Sequence, residues 1–137
     1  MSELVLALLT WLSANTSYDI GFPQPNIVMT TRHNLCQLYG INDFDTCNAS
    51  GLRAFYDKHL TIYLGMDFSM NSEHKVSGLL HELAHYIQYR NHVHDHTCLG
   101  HLEVEAYNLQ DHWRREHGLE PVLDVFNQVL LEASCQG

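Results

Sequence analysis

Residues 79–87 read Leu-Leu-His-Glu-Leu-Ala-His-Tyr-Ile, and their spacing predicts a helix with two contrasting faces. Apolar residues recur at four-residue intervals, at positions Leu79, Leu83 and Ile87, as on the packed side of a helix. Counting about 100° per residue, His81 and His85 lie together on the opposite side. The Cβ atoms of such an i, i+4 pair are about 6 Å apart, so both rings can reach one ion. The stretch therefore predicts a packed helix that carries two metal ligands.

Residues 81–85 form the pattern HExxH, which combines two zinc ligands with a general base. His81 and His85 are the predicted ligands. Glu82 is offset to one side of the pair, where its carboxylate can reach a water beside the metal without binding the metal itself. We therefore expect one Zn²⁺ per chain, with Glu82 as a catalytic residue.

A catalytic zinc usually takes a third protein ligand, and the sequence offers two candidates. The metzincin arrangement is excluded because Gln88 and Asn91 stand where it requires Gly and His. A carboxylate on a second helix is the alternative, and either Glu103 or Glu105 can supply it. We favour Glu103, because Ala106 three residues later leaves room for two helices to approach closely.

HELAH followed by a helix with the pattern ExEA resembles the minimal gluzincins, short zinc metallopeptidase domains that include the ImmA/IrrE-type proteins. It also resembles a family of small bacterial HExxH proteins. The resemblance covers roughly residues 60–113 and implies that the first Glu of ExEA, here Glu103, is the third ligand. The sequence departs from the ImmA-like proteins in two respects: Tyr107 stands in place of the usual Asn, and no Leu-Met-Pro follows the second helix. These departures argue against transferring the ImmA-like regulatory role.

The predicted function is metal-assisted peptide hydrolysis, with a peptide or protein as substrate. Glu82 would take a proton from the attacking water and pass it to the leaving amine. Tyr107 is the first candidate for stabilising the oxyanion, ahead of His112, Arg114 and His117. Two alternatives stay open: a zinc-binding sensor or binding module with little turnover, and an amidohydrolase that acts on non-peptide substrates.

Length and composition predict a single domain spanning residues 1–137. Hydrophobic residues make up 45% of the chain, which suits a packed core. The formal net charge of -9 argues against a nucleic acid partner, because such binding neutralises phosphates. We expect an α+β fold of zincin-like type, a short sheet packed against the HExxH helix and the glutamate helix.

The periodicity along the chain predicts the individual elements. The expected helices cover residues 4–12, a turn at 32–39, residues 71–89 capped by Asn71 or Ser72, residues 101–117, and a last helix from about Pro121. The expected strands cover residues 26–31, 52–56 and 60–64, the last two as a hairpin. By the zincin resemblance, strand 60–64 would pair with an extended substrate.

The four cysteines bear on the cellular compartment of the protein. Two disulfides are possible, Cys36–Cys47 and Cys98–Cys135, and buried free thiols are the alternative. The apolar run 4–12 is about half of what spans a membrane, so no membrane span is expected. We favour an extracytoplasmic protein, periplasmic or secreted, whose signal peptide is absent from this sequence.

The histidine-rich stretch 92–96 is interpreted as a solvated loop, with a second metal site as the alternative.

Overall fold

The computed structural model describes residues 1–40, 42–43, 54–57 and 60–136. Within these residues the α-helices are α1 (Ser2–Asn15), α2 (Arg32–Tyr39), α3 (Glu73–Arg90), α4 (Leu99–Glu116) and α5 (Val125–Ala133). The strands are β1 (Asn26–Thr30), β2 (Ala54–Asp57) and β3 (Thr61–Gly65). The fold is α+β, as predicted.

The three strands form one mixed sheet with the order β1-β3-β2. β2 and β3 pair in antiparallel fashion, as the predicted hairpin requires, and β1 pairs with β3 in parallel, with Ile27 opposite Ile62. The expectation that strand 60–64 binds an extended substrate is wrong, because both edges of β3 already carry hydrogen bonds to neighbouring strands. Of the described strands, β1 and β2 lie at the two edges of the sheet.

Helix α3 is the centre of the molecule and packs against α1, α4, β2 and β3. Its start is fixed by Ser72, whose side chain accepts a hydrogen bond from the backbone N–H of Lys75, as an N-cap residue does. The predicted apolar stripe, Leu79, Leu83 and Ile87, is completely buried. Burial of this stripe between helices and sheet holds α3 in place and thereby positions the HExxH residues.

The last helix begins later than the sequence predicts. Val122 and Leu123 precede it, and their backbone N–H groups donate to the carboxylate of Asp111 on α4. Asp124 then caps α5 by accepting a hydrogen bond from the N–H of Asn127. The predicted start at Pro121 is wrong because Asp111 satisfies these backbone donors outside a helix.

A disulfide joins Cys98 to Cys135, with Cα atoms 5.8 Å apart. It ties the start of α4 to the segment after α5. Cys36 is buried, and its predicted partner, Cys47, lies outside the described residues. No helix in the described ranges combines the length and apolarity needed to cross a bilayer.

Candidate metal centre

Two helices bring three possible metal ligands together. His81 and His85 project from α3, and their Nε2 atoms lie 3.2 Å apart. Glu103 projects from α4; one carboxylate oxygen lies 3.6 Å from Nε2 of His81, and the other is in direct contact with Nε2 of His85. One ligand atom from each of the three residues therefore falls within a region 4.8 Å across.

This donor set fits a zinc ion. Zn–N and Zn–O bonds of about 2.0–2.1 Å place tetrahedral ligand atoms ~3.3 Å apart, which is close to the two quoted separations of 3.2 and 3.6 Å. Two imidazoles and one carboxylate are also a donor set that catalytic zinc sites use, with a fourth position left for water.

Glu103 and Glu105 have different surroundings. Both oxygens of Glu105 accept hydrogen bonds from the Tyr18 hydroxyl, at 2.7 and 2.9 Å. The same carboxylate also accepts a hydrogen bond from Nε2 of Gln88 at 2.9 Å. Of the two glutamates between which the sequence left a choice, only Glu103 belongs to the His81–His85 cluster.

Glu82 lies close enough to the cluster for its charge to interact with His81, His85 and Glu103. Burial raises the pKa of its carboxyl group, and the negative charge of Glu103 acts in the same direction, against the opposing effect of the two histidines. Its carboxylate makes no hydrogen bond or ion pair with any residue that the structure describes. A carboxylate beside the ligands whose pKa is raised is suited to accept a proton.

His85 and Glu103 shift each other's protonation. Burial is the largest single influence and disfavours charge on both groups, but the hydrogen bonds and charges of the neighbouring residues together outweigh it. The pKa of His85 is raised, with a further contribution from the charge of Glu82. The pKa of Glu103 is held well below its usual range by its hydrogen bonds with His81 and His85.

Tyr107 is the one predicted oxyanion stabiliser that contacts the cluster. Its ring centroid lies 4.4 Å from that of His81. The other candidates make their contacts elsewhere. His112 packs on Trp11, and His117 stacks on Trp113. Arg114 donates hydrogen bonds to the hydroxyl of Ser77 and to the carbonyl of Glu120.

Two glutamines to which the sequence analysis gave no role at the site contact the ligand rings from behind. Oε1 of Gln88 lies 2.8 Å from Nδ1 of His85, and Oε1 of Gln110 lies 3.1 Å from Nδ1 of His81. Both glutamine side chains are buried. The available signal was the position of Gln88, one turn after His85 on a helix; Gln110 on α4 has no comparable signal in the sequence.

The histidine-rich stretch 92–96 does not form a comparable cluster. His92 and His94 each lie near Asp95, at 3.4 and 3.2 Å, and the side chain of His92 is 78% exposed. The described residues contain one other group of potential ligands, Cys98, His101 and Cys135, in which the two sulfurs are bonded to each other. Residues 92 and 94–96 are exposed, and Val93–Asp95 form a short 3₁₀ helix.

A cavity of about 510 Å³ lies on another face of α4 and includes none of the three clustered ligands. Its lining residues are His101, Val104, Glu105, Asn108, Leu109, His112 and Arg115.

Comparison with known proteins yields a family without a known activity. No curated protein and no solved structure matches the chain. One family model, described as a domain of unknown function (DUF6647), matches residues 1–137. The chain therefore belongs to the DUF6647 family.

Proposed function

We propose that this protein is a zinc-dependent metallopeptidase of zincin-like, gluzincin type. The observation that carries the proposal is the convergence of His81, His85 and Glu103 on one point, with the carboxylate of Glu82 beside them. In this assignment the three converging residues hold one zinc ion, and Glu82 is the catalytic base.

Zinc bound to such a ligand set lowers the pKa of water to about 7 and polarises a carbonyl group. The chain supplies the proton transfers. Glu82 accepts a proton from the attacking water and returns it to the leaving amine. Its raised pKa suits a group that must hold a proton between the two steps.

Tyr107 is assigned the role of stabilising the oxyanion. Its ring packs on His81, and a phenolic hydroxyl can donate a hydrogen bond to the oxygen that gains charge during attack on a carbonyl. This assignment leaves His112 and His117 outside the reaction, since both rings are packed against tryptophans.

An extended peptide is the substrate class that the sheet favours. Among the described strands β2 lies at an edge of the sheet, and helix α3, which carries the HExxH residues, packs against it. A peptide that adds to a free strand edge gains main-chain hydrogen bonds without any sequence requirement. We therefore assign to β2 the substrate-pairing role that β3 cannot fill.

The retained general base favours an enzyme over a sensor module. A site that only stored or sensed zinc would gain nothing from Glu82, whose burial disfavours its charged form. The Cys98–Cys135 disulfide supports an extracytoplasmic location, because disulfides persist in oxidising compartments.

The test is cleavage of a mixed peptide library by the zinc-loaded protein, read by mass spectrometry. Glu82→Gln is the matched control, because it keeps the size of the side chain and removes the base. We expect cleavage by the wild type, a loss of about 10²–10⁴-fold in Glu82→Gln, and equal zinc content in both. Equal cleavage by both proteins would contradict the assignment of Glu82, and cleavage of small amides but not of peptides would favour the amidohydrolase alternative.

A further inference from the structure

A second group of potential metal ligands lies at the start of α4 and shares no residue with the candidate zinc cluster. Cys98 is the N-cap residue of this helix, and His101 follows three positions later. Side chains three positions apart are neighbours on a helix surface. Cys135 joins them from the short 3₁₀ helix after α5 (Ser134–Gln136). The two sulfurs and one ring nitrogen of His101 all lie within 4.8 Å of one another.

The approach of Cys135 to α4 is built into the packing of the backbone. Gly100 stands between Cys98 and His101 in the sequence. A Cβ atom at this glycine would collide with the carbonyl oxygen of Leu131 and would lie 2.9 Å from Sγ of Cys135. The two segments therefore meet without a side chain between them. This packing keeps the two cysteines neighbours whether or not a covalent bond joins their sulfurs.

We propose that Cys98, His101 and Cys135 form a second metal site, which takes Zn²⁺ when the disulfide is reduced. Two thiolates and one imidazole are a donor set that zinc uses in proteins, with a fourth position left for water. In the oxidised protein the two sulfurs are bonded to each other and cannot bind a metal as thiolates. The same two cysteines therefore hold either a disulfide or, with His101, a metal ion.

A rotation of side chains is sufficient to convert one state into the other. Zn–S bonds of about 2.3 Å place two tetrahedral sulfur ligands ~3.8 Å apart. The Cα atoms of Cys98 and Cys135 are 5.8 Å apart, so the sulfurs reach that separation by rotation about χ1. His101 is exposed at the surface of α4, which leaves its ring free to turn toward the ion.

The conversion needs a dithiol reductant. Two electrons pass from the dithiol to the Sγ–Sγ bond, which breaks, and the dithiol becomes a disulfide. Its two protons are taken up by the cysteine sulfurs, which become thiols. Zn²⁺ then binds both sulfurs as thiolates, and the two thiol protons are released to water. Thiolate ligands favour zinc over the harder divalent cations such as Mg²⁺ and Ca²⁺.

Both states tie the start of α4 to the segment after α5. The disulfide joins residues that are 37 positions apart in the sequence, and a zinc ion on the same residues would close the same loop. The second site gives the chain this closure in a reducing as well as in an oxidising environment. The proposal does not rest on the proposed function, because it uses neither a residue of the candidate zinc cluster nor a catalytic step.

Cobalt(II) absorption spectroscopy tests the second site. The full chain is reduced with a dithiol, freed of the dithiol without exposure to air, and titrated with Co²⁺. The candidate zinc cluster contains no sulfur, so thiolate-to-cobalt charge-transfer absorption reports on cysteine ligands alone. We expect this absorption in the reduced wild type, its loss on addition of Zn²⁺, and none in the oxidised protein.

Substitutions of the histidine separate a three-ligand site from a pair of reactive thiols. His101→Ala should weaken cobalt binding by the reduced protein by more than about 100-fold, because loss of even a group behind a ligand costs 10–100-fold. His101→Cys supplies another zinc ligand and should retain binding. His112→Ala is the matched control on the same helix, since this ring packs on Trp11. Equal affinities in His101→Ala and the wild type would overturn the assignment of His101.

Substitutions of the cysteines identify the source of the thiolates. Cys98→Ser should abolish the charge-transfer absorption, whereas Cys36→Ser, at a buried position on α2, should leave it unchanged. The reverse result would overturn the proposal. If Cys36→Ser does not fold, alkylation of the reduced wild type decides: zinc should protect Cys98 and Cys135, and equal labelling of both with and without zinc would overturn the proposal.

The reduced wild type also separates this proposal from the proposed function. Absence of thiolate absorption from the reduced wild type, folded or unfolded, would overturn the second site and leave the first untouched. An oxidised protein that binds no zinc, with thiolate-bound cobalt after reduction, would contradict the proposed function and support the second site.

Discussion

Glu105 follows Glu103 by two residues on α4, yet their carboxylates contact different partners. Glu103 contacts the ring nitrogens of His81 and His85. Glu105 accepts hydrogen bonds from the Tyr18 hydroxyl instead. Side chains two positions apart on a helix do not share a face, so the rotation of α4 about its axis decides which glutamate reaches the histidines.

Zinc affinity should therefore distinguish the two glutamates. Glu103→Ala removes a proposed ligand and should weaken zinc binding by more than about 100-fold. Glu105→Ala removes only an anchor of Gln88 and should cost about 10-fold, the lower end of the range for groups behind a ligand. Competition with a chromophoric chelator measures both. A larger loss in Glu105→Ala than in Glu103→Ala would reverse the ligand assignment.

Tyr107→Phe should lower kcat for peptide cleavage by about 10²–10³-fold, because it removes a hydrogen-bond donor to the oxyanion. KM and zinc content should change little, since the ring and its contact with His81 remain. Steady-state kinetics with a cleaved library peptide provide the measurement.

His112→Ala is the matched control, because this histidine packs on Trp11 rather than on the cluster. A loss of kcat in His112→Ala, with kcat unchanged in Tyr107→Phe, would contradict the assignment of Tyr107 and indicate that His112 stabilises the oxyanion.

Without zinc, His85 and Glu103 should stabilise the fold over a limited range of pH. The pKa of His85 is raised above 6.5, so its contribution is present below pH 6.5 and is lost as the pH rises through the raised value. The pKa of Glu103 is lowered from 4.5, so its contribution is present above pH 4.5 and is lost on acidification. Both contributions are complete between these two values.

The Tm difference between the zinc-free wild type and zinc-free Glu103→Gln isolates this pair. The difference should be largest between pH 4.5 and 6.5 and should shrink at alkaline pH. Zinc binding should show the opposite trend and tighten with rising pH, because the metal must displace the proton of His85. A Tm difference that grows above neutral pH would contradict the ion pair.

Gly100→Ala should destabilise the protein by about 1–3 kcal/mol. A Cβ at this position of α4 would collide with the carbonyl oxygen of Leu131 and lie 2.9 Å from Sγ of Cys135. Gly78→Ala is the matched control within α3, where a Cβ meets nothing within 4 Å. That change should stabilise the protein by about 0.5–1 kcal/mol, since alanine is the better helix former. Chemical denaturation measures both, and equal effects of the two changes would contradict the close packing at Gly100.

Local patterns in the sequence were sufficient for the elements that hold the site. The four-residue spacing of Leu79, Leu83 and Ile87 predicts α3, and the burial of all three residues confirms it. The hairpin of β2 and β3 is equally local, since the two strands are separated by a few residues. The HExxH pattern puts both histidines on one face by helical geometry alone.

Features that depend on contacts distant in sequence were not predictable in this way. β3 is central because β1 pairs with it in parallel. Parallel strands are not joined by a tight turn, so no turn signal in the sequence marks their pairing. The partner of the Glu105 carboxylate is Tyr18, which is 87 residues away in the sequence. The start of α5 depends on Asp111, which binds the backbone of residues 122 and 123.

The most direct test of the zinc site is elemental analysis of the purified wild type beside His81→Ala and Glu103→Ala. We predict about one zinc per chain in the wild type and a loss of the metal in both variants, with Gly78→Ala retaining it. Zinc absent from a wild type never exposed to chelator, or retained in full by both ligand variants, would contradict the account.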